Sequence, residues 1–223
     1  MIATLSEIHV PSVEHLNFSS SPIVPVVTID ELETAYPLME ALLSAGINII
    51  EVTLRTPCAL DAIREISTSF PEIVVGAGSI RAAEHVQQVV DAGAGFCVSP
   101  GITNGLLEAV SKQKIPLIPG ASTPSEMMQL YEYGFRLIKF FPAELSGGIA
   151  MLKALSAPLP DIQFFPSGGI TPALAPDYLA LKNVVCIGGS WFVPSVKIKS
   201  KNFGWIEKSA SAAIQLTVDP LNA

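Results

Sequence analysis

Short runs of apolar residues rich in Val, Ile and Phe recur along the chain, with turn residues and helix-like patterns between them. Successive runs begin 20 to 26 residues apart, which leaves room each time for one helix and two short loops. We predict eight strands from these runs, beginning near Ile23, Asn48, Ile73, Phe96, Pro116, Leu137, Gln163 and Val185. Eight strands that alternate with helices are typical of a closed parallel (β/α)8 barrel, so the sequence predicts an α/β fold of this TIM-barrel type.

The chain length and the local signals favour a single domain. An open doubly wound sheet would use five or six strands and a GxGxxG turn after the first, which the sequence lacks. Thr123–Pro124 followed by Glu126 predicts a helix cap with proline at the first helical position. A closing helix is predicted from about Trp205 to Leu216. Residues 1–20 are polar and irregular, so we interpret them as an N-terminal extension to a barrel domain of residues 21–223.

Lys139 interrupts an otherwise apolar strand. Strand alternation places Leu137, Lys139 and Phe141 on one face, and Ile138 and Phe140 on the other. Because the helix-facing side must be apolar, we expect Lys139 to point into the barrel. Burial there disfavours the charged ammonium and favours the free amine that attacks a carbonyl. The alternative is a structural lysine that reaches out of one end of the barrel or pairs with a carboxylate.

Three polar residues share one face of the second predicted strand: Glu51, Thr53 and Arg55. Barrel enzymes build their sites from such inward side chains near the carboxyl ends of strands. Arg55 is suited to a bidentate grip on a carboxylate, and Glu51 to moving protons. An ion pair between Glu51 and Arg55, with no substrate involved, is the competing interpretation.

Glycine pairs end the seventh and eighth predicted strands, at Gly168 and Gly169 and at Gly188 and Gly189, the latter followed by Ser190. The loops after these two strands are the usual phosphate site of this architecture, because glycine lets backbone N–H groups approach an anion closely. The pattern therefore predicts an anion site, although a pair of tight turns would give the same pattern.

Small residues end the middle strands. Ser79 ends the third, Pro100 the fourth, and Gly120, Ser122 and Thr123 the fifth. Each alone is more often a turn or cap residue than a ligand contact. Together they leave space for an open pocket above the barrel.

The composition excludes several functions. A formal net charge of -7 argues against a nucleic-acid partner, which needs clustered Lys and Arg, and we interpret Lys197, Lys199 and Lys201 as a solvated loop face.

No apolar stretch reaches the roughly 18 residues of a membrane span. The first basic residue is Arg55, so the N-terminus resembles neither a secretory signal nor a transit peptide, and a cytoplasmic location is expected. The high hydrophobic fraction of 49% favours strands buried on both faces and an oligomer that covers more surface.

The cysteines and histidines do not predict a metal site. The three cysteines are far apart and form no CxxC pair, and the three histidines form neither HxH nor HExxH. We therefore expect reduced, packed thiols and no bound metal. These residues are Cys58, Cys97, Cys186, His9, His15 and His85.

Several motifs follow one another in a fixed order: Glu51–Thr56, Gly76–Ser79, Ser99–Gly101, Lys139–Glu144 and Gly188–Trp191. Together, over the chain from about residue 23 to about residue 194, they resemble the 2-dehydro-3-deoxy-phosphogluconate (KDPG) aldolase family, which includes 4-hydroxy-2-oxoglutarate aldolase activity. The resemblance implies a class I aldolase on a (β/α)8 barrel, usually a homotrimer, that needs no metal or cofactor. It also implies a small-molecule 2-oxo acid substrate, cleaved to pyruvate and glyceraldehyde 3-phosphate.

The resemblance also implies roles for particular residues. Lys139 matches the Schiff-base lysine, Glu51 the general acid/base, and Arg55 the carboxylate-binding arginine. Ser79 and Ser167 stand where the family usually has threonine, which keeps a hydroxyl but loses a methyl group and so changes the shape of the pocket. The remaining implied positions are substrate contacts at Thr53, Pro100 and Phe141, and phosphate contacts at Gly168, Gly169, Gly189 and Ser190.

Two other functions remain open from the residues. An isomerase or synthase of the phosphate-binding barrel group would share the glycine turns but would not need Lys139. A non-catalytic barrel kept for binding or assembly would need neither.

Overall fold

The computed structural model describes residues 11–13, 16–18 and 21–216. Strands and helices alternate along the chain. The strands are β1 Ile23–Val27, β2 Ile49–Thr53, β3 Val74–Gly78, β4 Phe96–Val98, β5 Leu117–Ile118, β6 Gly120–Ala121, β7 Leu137–Phe140, β8 Gln163–Pro166 and β9 Ile187–Gly189. The α-helices are α1 Ala35–Ser44, α2 Ala59–Ser69, α3 Ala83–Asp91, α4 Asn104–Gln113, α5 Pro124–Glu132, α6 Gly148–Leu155, α7 Ala175–Leu179, α8 Ser195–Lys199 and α9 Phe203–Gln215. Short 3-10 helices also lie at Leu32–Thr34 and Glu144–Ser146.

The prediction of a closed (β/α)8 barrel was wrong. The strands form two parallel sheets, a larger one in the order β5-β4-β3-β2-β1-β9 and a smaller one in the order β6-β7-β8. The predicted fifth strand is divided at Pro119, so that β5 pairs with β4 and β6 pairs with β7. Proline has no N–H to donate, so Pro119 supplies no backbone donor where the strand passes from one sheet to the other.

The other junction between the two sheets is also discontinuous. The segments that contain β8 and β9 are joined by isolated bridges instead of a continuous ladder: Phe164 of β8 pairs with Val184, before β9, and Ser167, after β8, pairs with Gly188 of β9. The alternation of strands and parallel pairing that the sequence predicted are nevertheless present, so the fold class is α/β.

Two apolar clusters cover the two faces of the strands. A large outer cluster lies between strands and helices, and includes Ile138 and Phe140 of β7. A smaller inner cluster joins the two sheets, and its members are Leu16, Phe18, Val24, Ile49, Phe96, Val98, Ile118, Leu137, Phe165 and Cys186. Because alternate residues belong to alternate clusters, Lys139 lies on the inner face, as the sequence pattern predicted.

The region predicted as an N-terminal extension contributes to this inner cluster. Leu16 and Phe18 are buried, and the Phe18 ring lies with its centroid 6.3 Å from that of Phe96 and 6.2 Å from that of Phe165. Leu16 and Phe18 therefore pack into the core, and the boundary at residue 21 is still a prediction.

Local signals for the helices were accurate. Thr123 and Glu126 form a reciprocal capping box at the start of α5, with proline at the first helical position. The closing helix, α9, begins two residues before the predicted start. Among the described residues, no helix has the length and apolar character needed to cross a bilayer.

Candidate active site

The centre of the site is an ion pair between β7 and β2. The Lys139 Nζ atom lies 3.2 Å from Glu51 Oε1 and 3.4 Å from Glu51 Oε2. Both residues are buried, with exposed fractions of 6% for Lys139 and 1% for Glu51. The ring centroids of Phe141 and Phe165 lie 5.3 and 6.0 Å from Nζ. The amine is thus held among two aromatic rings and one carboxylate.

The sequence left open a lysine that pairs with a carboxylate, and the structure contains such a pair. The same carboxylate is within hydrogen-bond reach of the proton that must leave before the amine can act as a nucleophile. The pairing partner of Glu51 is Lys139, so the alternative of a Glu51–Arg55 pair is not what the structure contains.

A glycine makes room for the carboxylate. A Cβ atom on Gly78, the last residue of β3, would lie 2.2 Å from Glu51 Oε1 and 2.7 Å from its Cδ and Cγ. Such contacts are far inside van der Waals distance, so Glu51 can occupy its present position only beside a residue without a side chain.

Thr53 ties two strands together. Its buried hydroxyl donates to the carbonyl oxygen of Val27 at 3.0 Å and lies 3.0 Å from the Thr28 hydroxyl. The predicted substrate contact at Thr53 therefore has a structural partner already. Thr28, which sequence reasoning missed, lies on the cavity wall.

Arg55 lies beyond the end of β2, where it is exposed. Its Nε atom donates to the hydroxyl of Ser79 at 3.0 Å. The Ser79 backbone has a φ of 61°, in the left-handed region that is unfavourable for a residue with a Cβ. Ser79 thus contacts Arg55 directly, and the rest of the guanidinium is available to a carboxylate ligand.

A cavity of about 480 Å³ opens above Lys139. Seven of the predicted site residues line it: Arg55, Lys139, Phe141, Ser167, Gly168, Gly169 and Ser190. The other five lie outside its described lining: Glu51, Thr53, Ser79, Pro100 and Gly189. Glu51 accepts a hydrogen bond from the lining residue Lys139, and the Ser79 hydroxyl accepts one from the lining residue Arg55. Trp191, which sequence reasoning did not assign, forms part of the wall.

The glycine turn after β8 has an unusual backbone. Gly168 and Gly169 have φ values of 99° and 84°, which residues with a Cβ rarely adopt. The carbonyl oxygens of Ser167 and Gly168 accept hydrogen bonds from the backbone N–H groups of Ala143 and Glu144, at 2.8 and 3.1 Å. These bonds connect the turn to the segment that follows β7.

The basic residues predicted as a solvated loop face lie partly on a helix, because α8 contains Lys197 and Lys199. Lys199 and Lys201 are exposed and pair with Asp30 and Glu33 at 3.3 and 3.6 Å. Lys197 lies over the ring of Trp205, with its Nζ 5.1 Å from the centroid.

The three cysteines are free thiols, and Cys97 and Cys186 are buried. Burial raises the pKa of the Cys97 thiol to about 12. His9 and His15 lie outside the described residues. In the part of the chain that is described, no three residues among His, Cys, Asp and Glu are grouped as metal ligands.

Comparison with known proteins gives consistent results. The family model "KDPG and KHG aldolase" matches residues 15–209. The KHG/KDPG aldolase of Escherichia coli K12 is 47% identical over 197 residues, which cover 88% of this chain and 92% of the relative. The 2-dehydro-3-deoxy-phosphogluconate aldolase of Dickeya dadantii is 45% identical over 196 residues, with coverage of 88% and 92%.

A solved structure is similarly close. The Legionella pneumophila KDPG aldolase, with pyruvate captured as a covalent carbinolamine intermediate, has a TM-score of 0.85 and 46% identity, and the alignment covers 88% of this chain and 95% of that chain. Fold and site together define a class I aldolase, a carbon–carbon lyase. The chain belongs to the KDPG and KHG aldolase family.

Proposed function

We propose that the protein cleaves 2-dehydro-3-deoxy-6-phosphogluconate to pyruvate and glyceraldehyde 3-phosphate, 4-hydroxy-2-oxoglutarate to pyruvate and glyoxylate, or both. Lys139 is the Schiff-base nucleophile and Glu51 the general acid/base. One observation carries the proposal: a buried amine 3.2 Å from a buried carboxylate, at the base of a cavity whose wall includes an arginine. Names of relatives that include both substrates support the choice.

The first half of the reaction forms the iminium. Glu51 accepts a proton from the Lys139 ammonium, and the free amine attacks the C2 carbonyl of the substrate. Glu51 then returns a proton to the hydroxyl group formed at C2, which leaves as water. The product is a protonated imine between Nζ and C2.

The second half breaks the carbon–carbon bond. Glu51 accepts the proton of the C4 hydroxyl, directly or through a water molecule, and the C3–C4 electron pair moves into the iminium. The aldehyde leaves and an enamine remains on Lys139. Protonation at C3 and addition of water at C2 release pyruvate and restore the amine. The iminium itself is the electron sink, so the proposed reaction needs neither a metal nor a cofactor.

We assign the two ends of the substrate to different groups of residues. The guanidinium of Arg55, held by Ser79, binds the substrate carboxylate. Backbone N–H groups of the glycine turns at Gly168, Gly169 and Gly189, with the hydroxyl of Ser190, bind the phosphate. Further substrate contacts are assigned to Thr53, Pro100, Phe141 and Ser167.

The cellular setting remains part of the proposal. We expect a homotrimer, because the relatives belong to a family in which this assembly is usual, and a cytoplasmic enzyme of carbohydrate metabolism in the Entner–Doudoroff pathway. The residues 21–223 would form one domain. A net charge of -7 favours a small-molecule partner over nucleic acid.

Borohydride trapping tests the proposal. Protein incubated with pyruvate and borohydride should gain the mass of one pyruvic acid less one oxygen atom, and peptide mapping should place the adduct on Lys139. Lys139→Met should gain no mass and should release no pyruvate from either substrate. Lys153→Met is the matched control, because Lys153 is an exposed lysine on α6. An adduct absent from wild type, or retained by Lys139→Met, contradicts the Schiff-base mechanism.

A further inference from the structure

A carboxylate and a phenol meet directly behind the glycine turn after β8. Glu144 begins the 3-10 helix that follows β7, and Tyr178 lies on α7 with its side chain buried in the outer cluster. The Tyr178 hydroxyl donates a hydrogen bond to Glu144 Oε1. Neither residue lines the described cavity, and the mechanism above uses neither of them.

The turn is built against this pair. The backbone N–H of Glu144 donates to the carbonyl oxygen of Gly168 at 3.1 Å. A Cβ on Gly169 would lie 2.8 Å from Glu144 Cβ and 2.9 Å from its Cγ. Gly169 therefore makes direct contact with the stem of the glutamate side chain, so a change in the position of that side chain moves the turn.

A second glycine makes room on the opposite side of the pair. Gly148 has a φ of 55°, and a Cβ there would lie 3.0 Å from Glu144 Oε1 and 3.2 Å from the Tyr178 hydroxyl oxygen. Desolvation, the largest cause, and the hydrogen bond to the carboxylate both raise the pKa of Tyr178 well above its ordinary value. The phenol thus remains a hydrogen-bond donor throughout the neutral pH range.

The pair also determines where a negative charge points. Glu144 is the acidic residue next to the turn to which we assign the substrate phosphate, and an unrestrained carboxylate there would repel a phosphate. Held by Tyr178, one carboxylate oxygen is directed toward α7. The hydrogen bond thereby fixes the shape of the turn and the direction of the charge together.

We propose that Tyr178 and Glu144 are positioning residues that hold the Gly168–Gly169 turn in the conformation that binds the phosphate end of the substrate. This rests on the proposed function, since it assigns the phosphate to that turn. The Tyr178 hydroxyl and the Glu144 carboxylate act through the turn and contact no reacting atom. They therefore affect the KM for phosphorylated substrates and leave the chemistry at Lys139 unchanged.

Tyr178→Phe tests the proposal, because it removes one oxygen atom and retains the buried ring. We expect the KM for 2-dehydro-3-deoxy-6-phosphogluconate to rise about tenfold, the scale of one lost charged hydrogen bond. The kcat/KM for unphosphorylated 4-hydroxy-2-oxoglutarate should change by less than about twofold. Tyr133→Phe is the matched control and should alter neither value, because it removes a phenol oxygen at the end of α5 that takes no part in the hydrogen bond to Glu144.

Variants of Glu144 provide a second test, which does not depend on whether Tyr178→Phe folds. Its side chain is exposed, so Glu144→Ala leaves no cavity in the core. Glu144→Ala should reproduce the selective rise in KM, and Glu144→Gln, which keeps an acceptor oxygen for Tyr178, should restore most of the wild-type value.

Three outcomes overturn the proposal: an unchanged KM for the phosphorylated substrate in Tyr178→Phe and Glu144→Ala, an equal rise in KM for both substrates, or no rescue by Glu144→Gln. Failure of the proposed function has a different signature. Wild-type protein would then form no borohydride-stable adduct with pyruvate, an assay in which no phosphate takes part.

Discussion

Replacement of Gly78 by alanine perturbs Glu51, the proposed acid/base residue, without altering any polar group. Gly78 is the last residue of β3, and its extended backbone is accessible to alanine. The added Cβ would lie 2.2 Å from Glu51 Oε1, the oxygen that is also 3.2 Å from Lys139 Nζ. The substitution thus pushes on one side of the ion pair from which the proposed reaction starts.

The size of the effect follows from these distances. Ordinary van der Waals contact begins near 3.4 Å, so the carboxylate must shift by about 1 Å. Glu51 is 1% exposed and cannot turn into solvent to escape. A displacement of about 1 Å of a reacting group can cost about 100-fold in rate, or roughly 2.7 kcal/mol in activation free energy. Overpacking should also lower the free energy of unfolding by about 1–3 kcal/mol.

Gly76→Ala provides a matched control. Gly76 lies two residues earlier on the same face of β3, and a Cβ there would lie 2.2 Å from Cζ of Phe96. The two variants introduce similar clashes, but the nearest atoms to the added Cβ belong to the Phe96 ring at Gly76 and to Glu51 at Gly78. The assay is kcat for pyruvate release, measured well below the unfolding midpoint of each variant, with urea denaturation to compare stabilities.

We expect both variants to be less stable, and only Gly78→Ala to lose about 100-fold in kcat. Equal kcat values for the two variants, at temperatures where both are folded, would refute the reasoning. Such a result would mean that the position of the Glu51 carboxylate does not limit proton transfer.

Two further predictions concern the arginine and a helix cap. Ser79→Gly should raise the KM for the 2-oxo acid several-fold, because Arg55 Nε loses its acceptor. The free energy of unfolding should change by less than about 1 kcal/mol. Glycine tolerates the left-handed backbone better than serine does, but it also gains more entropy in the unfolded state, and the two effects oppose each other. Steady-state kinetics and urea denaturation measure the two quantities, and an unchanged KM would show that the hydroxyl does not hold the arginine. The backbone hydrogen bond from Ser122 is the main cause that lowers the pKa of Glu126 below its ordinary value of 4.5. A carboxyl group with a lowered pKa in the folded state stabilises the protein above pH 4.5, and this stabilisation is lost as the pH falls through the lowered pKa. Glu126→Gln should therefore reduce the unfolding temperature at pH 7, and the reduction should be smaller near pH 3. An equal reduction at both pH values would contradict the assignment.

Sequence reasoning located the secondary structure well because its signals are local. The predicted strand starts fall within about two residues of the observed ones, since each buried parallel strand is a short apolar run bounded by turns. Alternation with period two also placed Lys139 and Glu51 on inward faces, because neighbouring side chains of a strand point in opposite directions.

Local sequence signals could not predict how the two sheets are connected. A count of eight apolar runs does not reveal whether the ladder continues past Pro119, or whether Ser167 and Gly188 form one bridge or a full set of bonds. Closure depends on hydrogen bonds between distant segments, so the predicted closed barrel could be corrected only from the structure.

The contacts between side chains of the site could not be predicted from the sequence either. The sequence offered Arg55 as one partner for Glu51, whereas the observed partner is Lys139, 88 residues away along the chain. It gave no reason to join Tyr178 to Glu144. The local pattern of the chain thus determined which side chains point inward, because that depends only on a residue's neighbours in its own strand. Tertiary structure alone decided which of them meet, because the order and register of the strands bring together atoms that the sequence keeps far apart.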